Sequence, residues 1–201
     1  MLKMKNITKL FLYLNLCLTL LACSKISPKG EIEVKDVTVE NFTKLNLKGD
    51  FKVFFAKGNQ NLVSVETYPN VYKNLDIEVE NGILTIEENR KTEQVDFYNI
   101  TIFGKNDLNE VSLSDKVEMN VSGQVKTPEF SLHLKGNSKF MGAVIAPKSK
   151  IEMAEKSNAN ILGETKNLNL KLADSVSIMA PYFYVENLEI LSKNGASAGL
   201  N

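Results

Sequence analysis

From Val34 onward, apolar and polar residues alternate in short runs. The apolar positions are Leu45 and Leu47; Phe51, Val53 and Phe55; Val63 and Val65; Leu75, Ile77 and Val79; Leu84 and Ile86; Ile100 and Ile102. A period of two places each set on one face of a strand, where a helix would need a period near 3.6, so the chain reads as all-β. Asn81-Gly82 lies between two such runs and predicts a two-residue hairpin, because these residues tolerate the positive φ that its turn demands. One helical turn is expected from Pro69 to Leu75.

The second half repeats. Leu113, Leu134, Met153 and Leu172 lie 21, 19 and 19 residues apart, and each is followed by a polar turn and an alternating strand. Those strands carry Val117, Met119 and Val121; then Ser138, Phe140 and Gly142; then Ser157, Ala159 and Ile161; then Val176, Ile178 and Ala180. A fifth copy runs from Ile190 to Ala198. Midway through each period stands a second cluster of breakers, at Ser122-Gly123-Gln124, Ala146-Pro147-Lys148, Gly163-Glu164-Thr165 and Ala180-Pro181. Self-similarity at a fixed period marks a solenoid. The expectation is a parallel β-helix or β-solenoid with coils of about 19–21 residues, two strands and two turns to a coil, and a polar outer face.

The N-terminus departs from this pattern. Lys3, Lys5 and Lys9 precede a short apolar run, Leu10 to Ala22, too short for a membrane-spanning helix and laid out as a signal peptide over residues 1–22. Leu20-Leu21-Ala22-Cys23 resembles a lipobox, which predicts cleavage before Cys23 and acylation of its thiol, a membrane anchor. Residues 23–33, with Ser, Lys, Pro and Gly, read as a tether. Residues 34–201 form the body, with its hairpin half at 34–110 and its regular half at 111–201. The residues after Cys23 show no acidic export signal, which favours the periplasmic face of an outer membrane.

Loss of Lys3, Lys5 and Lys9 takes the 24 basic residues to 21 against 24 acidic ones. Arg90 is the only arginine, which argues against nucleic acid and against a bidentate anion clamp. With Cys17 removed and Cys23 acylated, no disulfide is expected.

Catalytic chemistry is thin. His133, the single histidine, falls on the polar face opposite Leu132 and Leu134 without an accompanying nucleophile. Asp115, Glu155 and Asp174 recur at one turn of successive periods, but Gly136 interrupts them and Lys116 and Lys156 offset their charge, so solvated turns are expected rather than a metal site. Neither a metal nor a cofactor is predicted. Tyr182-Phe183-Tyr184 follows Pro181, and three aromatics at a corner offer a contact patch for glycan or protein, or a cover for the side of the stack.

The run Phe42 to Gly58, the pair Val63 and Val65 with Glu66, Asn70, and Asn81 to Ile86 resemble the opening of the head GIN-domain family of autotransporter adhesins, as found in Bacteroidetes-type lipoproteins. The later turns occupy the positions where that family carries Gly-Ser-Gly. Here they read Ser114-Asp115-Lys116, Lys135-Gly136-Asn137, Ala154-Glu155-Lys156, Ala173-Asp174-Ser175 and Lys193-Asn194-Gly195. With little glycine, some are expected to be wider. The resemblance implies a pectin-lyase-like or related parallel β-helix, a role in adhesion and no enzymatic activity. The expected function is a membrane-tethered, non-enzymatic binding module of the cell envelope, with glycan or an envelope protein as partner. Alternatives are a self-associating structural lipoprotein, acting as a homo-oligomer, and a polysaccharide-active enzyme.

Overall fold

The computed structural model describes residues 25–194 and 197–200, the last four by backbone alone. The expected signal peptide over residues 1–22 and the expected acylation site at Cys23 lie outside the described residues. Among the described residues no helix is long and apolar enough to cross a membrane.

The alternating runs are strands: β1 (Glu33–Thr38), β2 (Lys44–Gly49), β3 (Lys52–Lys57), β4 (Leu62–Thr67), β5 (Leu75–Glu80), β6 (Ile83–Glu88) and β7 (Asn99–Gly104). Pro69–Tyr72 form the short helix α1, with Pro69 in its first turn. β5 and β6 make the expected hairpin, and Asn81 and Gly82 hold φ of 50° and 75°. The repeat supplies β8 (Glu110–Asp115), β9 (Glu118–Lys126), β10 (Glu129–Leu134), β11 (Lys139–Met153), β12 (Asn158–Leu172), β13 (Ser177–Ser192) and β14 (Ser197–Leu200).

All fourteen strands belong to one sheet. Its continuous path, β1-β4-β7-β3-β9-β11-β10-β8-β2-β6-β5, wraps a single core. Leu45 and Leu47 of β2 lie between Leu84 and Ile86 of β6 on one side and Val111 and Leu113 of β8 on the other. Leu132, Leu134, Ile151, Met153, Leu170 and Leu172 continue that inward row. All are buried, and each side chain of this size contributes about 2 kcal/mol by leaving water.

The expected parallel β-helix of pectin-lyase type is overturned. β1 pairs antiparallel with β4, β4 with β7 and β5 with β6, so the sheet is mixed. Its eleven-strand path curls 300° round an axis as a half-barrel. The reason is physical: a period of two is common to parallel and antiparallel strands, so alternation carries no strand direction.

The second breaker of each period is also not a turn. β11, β12 and β13 run unbroken through Pro147, Gly163 and Pro181. The register shifts at two of the breakers, where β9 carries Val121 to Gly123 opposite Gly142 and β13 carries Ala180 and Pro181 opposite Ile161, while Pro147 and Gly163 stay in register between β11 and β12. A bulge re-aims a strand without ending it and accommodates a proline that cannot donate to the ladder.

The first breaker is a tight turn, and its geometry is uniform. Asp115, Gly136, Glu155, Asp174 and Asn194 all hold positive φ, between 55° and 72°. These five positions therefore share a left-handed backbone, and the acidic residues among them are the side chains of left-handed positions.

Candidate contact surface

Tyr182, Phe183 and Tyr184 stand on β13 just past its bend. Strand alternation separates them: Phe183 is 1% exposed and belongs to the core, while Tyr182 and Tyr184 are 65% and 68% exposed on the outer face. Phe183 therefore holds the segment down, and the two phenols project together about 7 Å apart along the strand. Their sheet neighbours form two outward columns. Gln124, Ala143, Leu162 and Tyr182 are in register, as are Lys126, Ile145, Glu164 and Tyr184.

Beside Tyr184 lies a groove of about 590 Å³ lined by Ile145, Pro147, Glu164, Lys166 and Glu186. Half-exposed aliphatic carbon, two phenol rings and charges of both signs suit stacking and hydrogen bonding.

The next outer face is polar. Glu129, Lys148, Asn167 and Asn187 share one column, and Ser131, Lys150, Asn169 and Glu189 the next. Asn187 donates to Asn167 at 3.2 Å and Asn169 to Glu189 at 2.8 Å across a groove of about 610 Å³. The sequence places Asn169 on the outward polar face but does not single out the ladder as a site, although asparagines recurring one period apart were the available signal.

His133 sits half-buried at the end of this face, its Nδ1 3.0 Å from Glu152 Oε2. Lys150 and Lys171 approach Oε1 of the same carboxylate at 3.0 and 3.1 Å. Hydrogen bonding to Lys150, then to Lys171, holds the Glu152 carboxyl down at about 2. A carboxylate so committed is a structural anion and a poor proton acceptor. Among the described residues no group of three or more His, Cys, Asp or Glu side chains is placed to hold a metal ion. Asp115, Glu155 and Asp174 are not gathered into one: Asp174 accepts from the Glu155 backbone N–H at 3.3 Å and from Asn194 at 2.9 Å.

A further polar cluster gathers Asp50, Glu88, Thr92 and Tyr98. Burial raises the Glu88 carboxyl above its ordinary value, even though Thr92 and the Asp50 N–H donate to it at 2.9 and 3.0 Å. Burial first, then the Glu88 charge, raises Tyr98 as well.

The curled all-β sheet presents an aromatic corner and a polar ladder on its outer face. Residues 41–201 match the family described as putative auto-transporter adhesin, head GIN domain, and the chain belongs to that family. Among curated proteins nothing matches it. Three solved structures share the fold. A putative adhesin from Bacteroides fragilis is 15% identical, with TM-score 0.80 over 86% of this chain and 81% of its own. A putative lipid binding protein from Parabacteroides distasonis is 16% identical, with TM-score 0.68 over 88% and 85%. A putative adhesin from Parabacteroides merdae is 12% identical, with TM-score 0.50 over 88% and 100%.

Proposed function

We propose that the protein is a lipid-anchored, non-catalytic adhesion module of the bacterial cell envelope, whose contact surface is the corner carrying Tyr182 and Tyr184. The observation that carries this reading is the exposure of both phenols, at 65% and 68%, on a segment held by the buried Phe183. A backbone already held by strand pairing and by Phe183 loses little entropy on binding. Membership of an adhesin-type family supports a place in the envelope or at the cell surface. The anchor is the acyl group on Cys23, and the outer membrane is its site.

The test is a binding screen of the protein against surface glycans and envelope proteins, repeated with Tyr182→Ala and Tyr184→Ala. A partner retained by the native chain and lost by the double variant supports the corner as the site. Undiminished binding by the double variant, or turnover of any polysaccharide, refutes the reading. Acylation is tested separately: Cys23→Ser should abolish lipid labelling and free the protein from the membrane fraction.

One observation favours self-association as a second reading. Leu188 and Ile190 align with the buried Leu168 and Leu170, yet are 46% and 47% exposed because β14 covers only residues 177–180 of β13. A mass in sedimentation that does not change with concentration would remove it.

A further inference from the structure

The segment following the acylation site is not a loose string. Ile26 donates its N–H to the Lys91 carbonyl at 2.9 Å and accepts from the Glu93 N–H at 3.0 Å. Asn70 of α1 accepts from the Lys29 N–H at 2.8 Å and donates to the Ser27 carbonyl at 2.9 Å. Asn74, buried just beyond α1, donates to the Arg90 carbonyl at 2.6 Å and accepts from the Arg90 N–H at 3.0 Å. Three stretches of chain, 25–30, 69–74 and 89–93, are thus laced together at one end of the half-barrel.

Their side chains share a sign. Lys25, Lys29, Lys73, Arg90 and Lys91 are all exposed there, and Arg90 is the chain's only arginine. Acidic groups stand nearby as well: Glu31 in the first stretch, Glu93 at 3.3 Å from Lys25, and Glu88, which accepts from Thr92. Among the described residues Lys29, Lys73, Arg90 and Lys91 have no carboxylate within ion-pair distance. A protein with more acidic than basic residues after its leader therefore gathers unpaired cations on the surface that begins two residues after Cys23.

We propose that this cluster is a membrane-facing surface that binds the anionic phospholipid headgroups of the bilayer in which the chain is anchored. The proposal rests on the reading of Cys23 as the acylated residue. An anchor so close to a docked segment brings Lys25 and Lys29 to the headgroups, and the hydrogen bonds of Asn70 and Asn74 bring the other three cations alongside. Each basic residue at an anionic surface strengthens binding roughly fivefold. Several together set which side of the protein faces the lipid.

The test is amine labelling of the full chain, as the cell processes it, mixed with vesicles of phosphatidylcholine alone or enriched in phosphatidylglycerol. The labelling of each lysine is read by mass spectrometry. The expected result is severalfold protection of Lys25, Lys29, Lys73 and Lys91 on the anionic vesicles only, reversed by high salt, with Lys126 and Lys166 unchanged. The combined variant Lys29→Gln, Lys73→Gln, Arg90→Gln and Lys91→Gln should lose protection at Lys25, while its circular dichroism matches the native chain. Equal labelling on both vesicles, or equal protection on both, overturns headgroup recognition. Protection by soluble glycerol phosphate without vesicles overturns it too, since the site would then bind free phosphate. The intact mass of the same sample reports whether Cys23 is acylated, so failure of the anchor and failure of the cationic face are read separately.

Discussion

A methyl group placed on Gly163 would stand 2.1 Å from the carbonyl oxygen of Val144, its partner on the neighbouring strand. Gly163 also holds φ of 111°, a region that L side chains rarely adopt. Gly163→Ala therefore combines backbone strain with a clash against backbone that cannot swing aside. It should destabilise the fold by about 3 kcal/mol, read as a shift of the urea midpoint. Because Gly163 pairs with Phe183, the same change should loosen the segment that carries both exposed tyrosines.

The turn at Glu155 offers the opposite experiment. Glu155 holds φ of 65° where the preceding period has Gly136 at 72°. Glu155→Gly should stabilise the protein by about 1 kcal/mol, since glycine relieves the left-handed strain of a side chain that is exposed. A lower melting temperature for that variant would show that Glu155 contributes contacts outweighing its strain.

Ser138 and Ser157 occupy the same position in successive periods, both fully buried. Ser157 donates to the Ala154 carbonyl at 2.9 Å, whereas the Ser138 hydroxyl is an orphan. Ser157→Ala should cost about 1 kcal/mol, and Ser138→Ala should cost nothing or stabilise by about as much, because an unsatisfied buried hydroxyl is lost with the side chain. Equal losses from the two would refute the distinction.

Glu88 and Glu152 impose opposite pH dependences. The folded state raises Glu88 above its ordinary value of 4.5, so its contribution to stability is full below that value and is lost as pH rises through the raised one. Glu152 is lowered to about 2, so its contribution is full above 4.5 and is lost as pH falls toward 2. Glu88→Gln should therefore raise stability at neutral pH relative to acid. Glu152→Gln should lower it at neutral pH, by an amount reduced by solvent screening. Urea titrations at the two pH values check both signs.

Strands, hairpin and helical turn were legible in the sequence because each depends on local chemistry: alternation at Leu84 and Ile86, left-handed tolerance at Asn81-Gly82, and Pro69 opening α1. Strand direction was not. The partners of β4 are β1 and β7, which lie far from it along the chain, and no residue in Val63 to Val65 marks which way a neighbour runs. Pro147, Gly163 and Pro181 read as breaks in the sequence because such residues usually interrupt a strand, but Pro181 sits at a bulge that lets the strand continue, and Pro147 and Gly163 stay in register. At the contact surface the aromatic triplet was visible, but alternation had to be placed in register before Phe183 could be assigned inward. The cationic end is not legible in the sequence because Lys29, Lys73 and Arg90 meet only in space.

The docked stretch from Ile26 to Ile32 gives a chain held at Cys23 a mechanical property. Tension between an anchored lipid and a captured partner would enter through the Ile26 hydrogen bonds and those of Asn70, before reaching β1 or the core. Those few exposed bonds yield first, and the seven residues they restrain unreel to about 24 Å of slack. If Cys23 carries the proposed anchor, the protein would lengthen under load with its sheet intact.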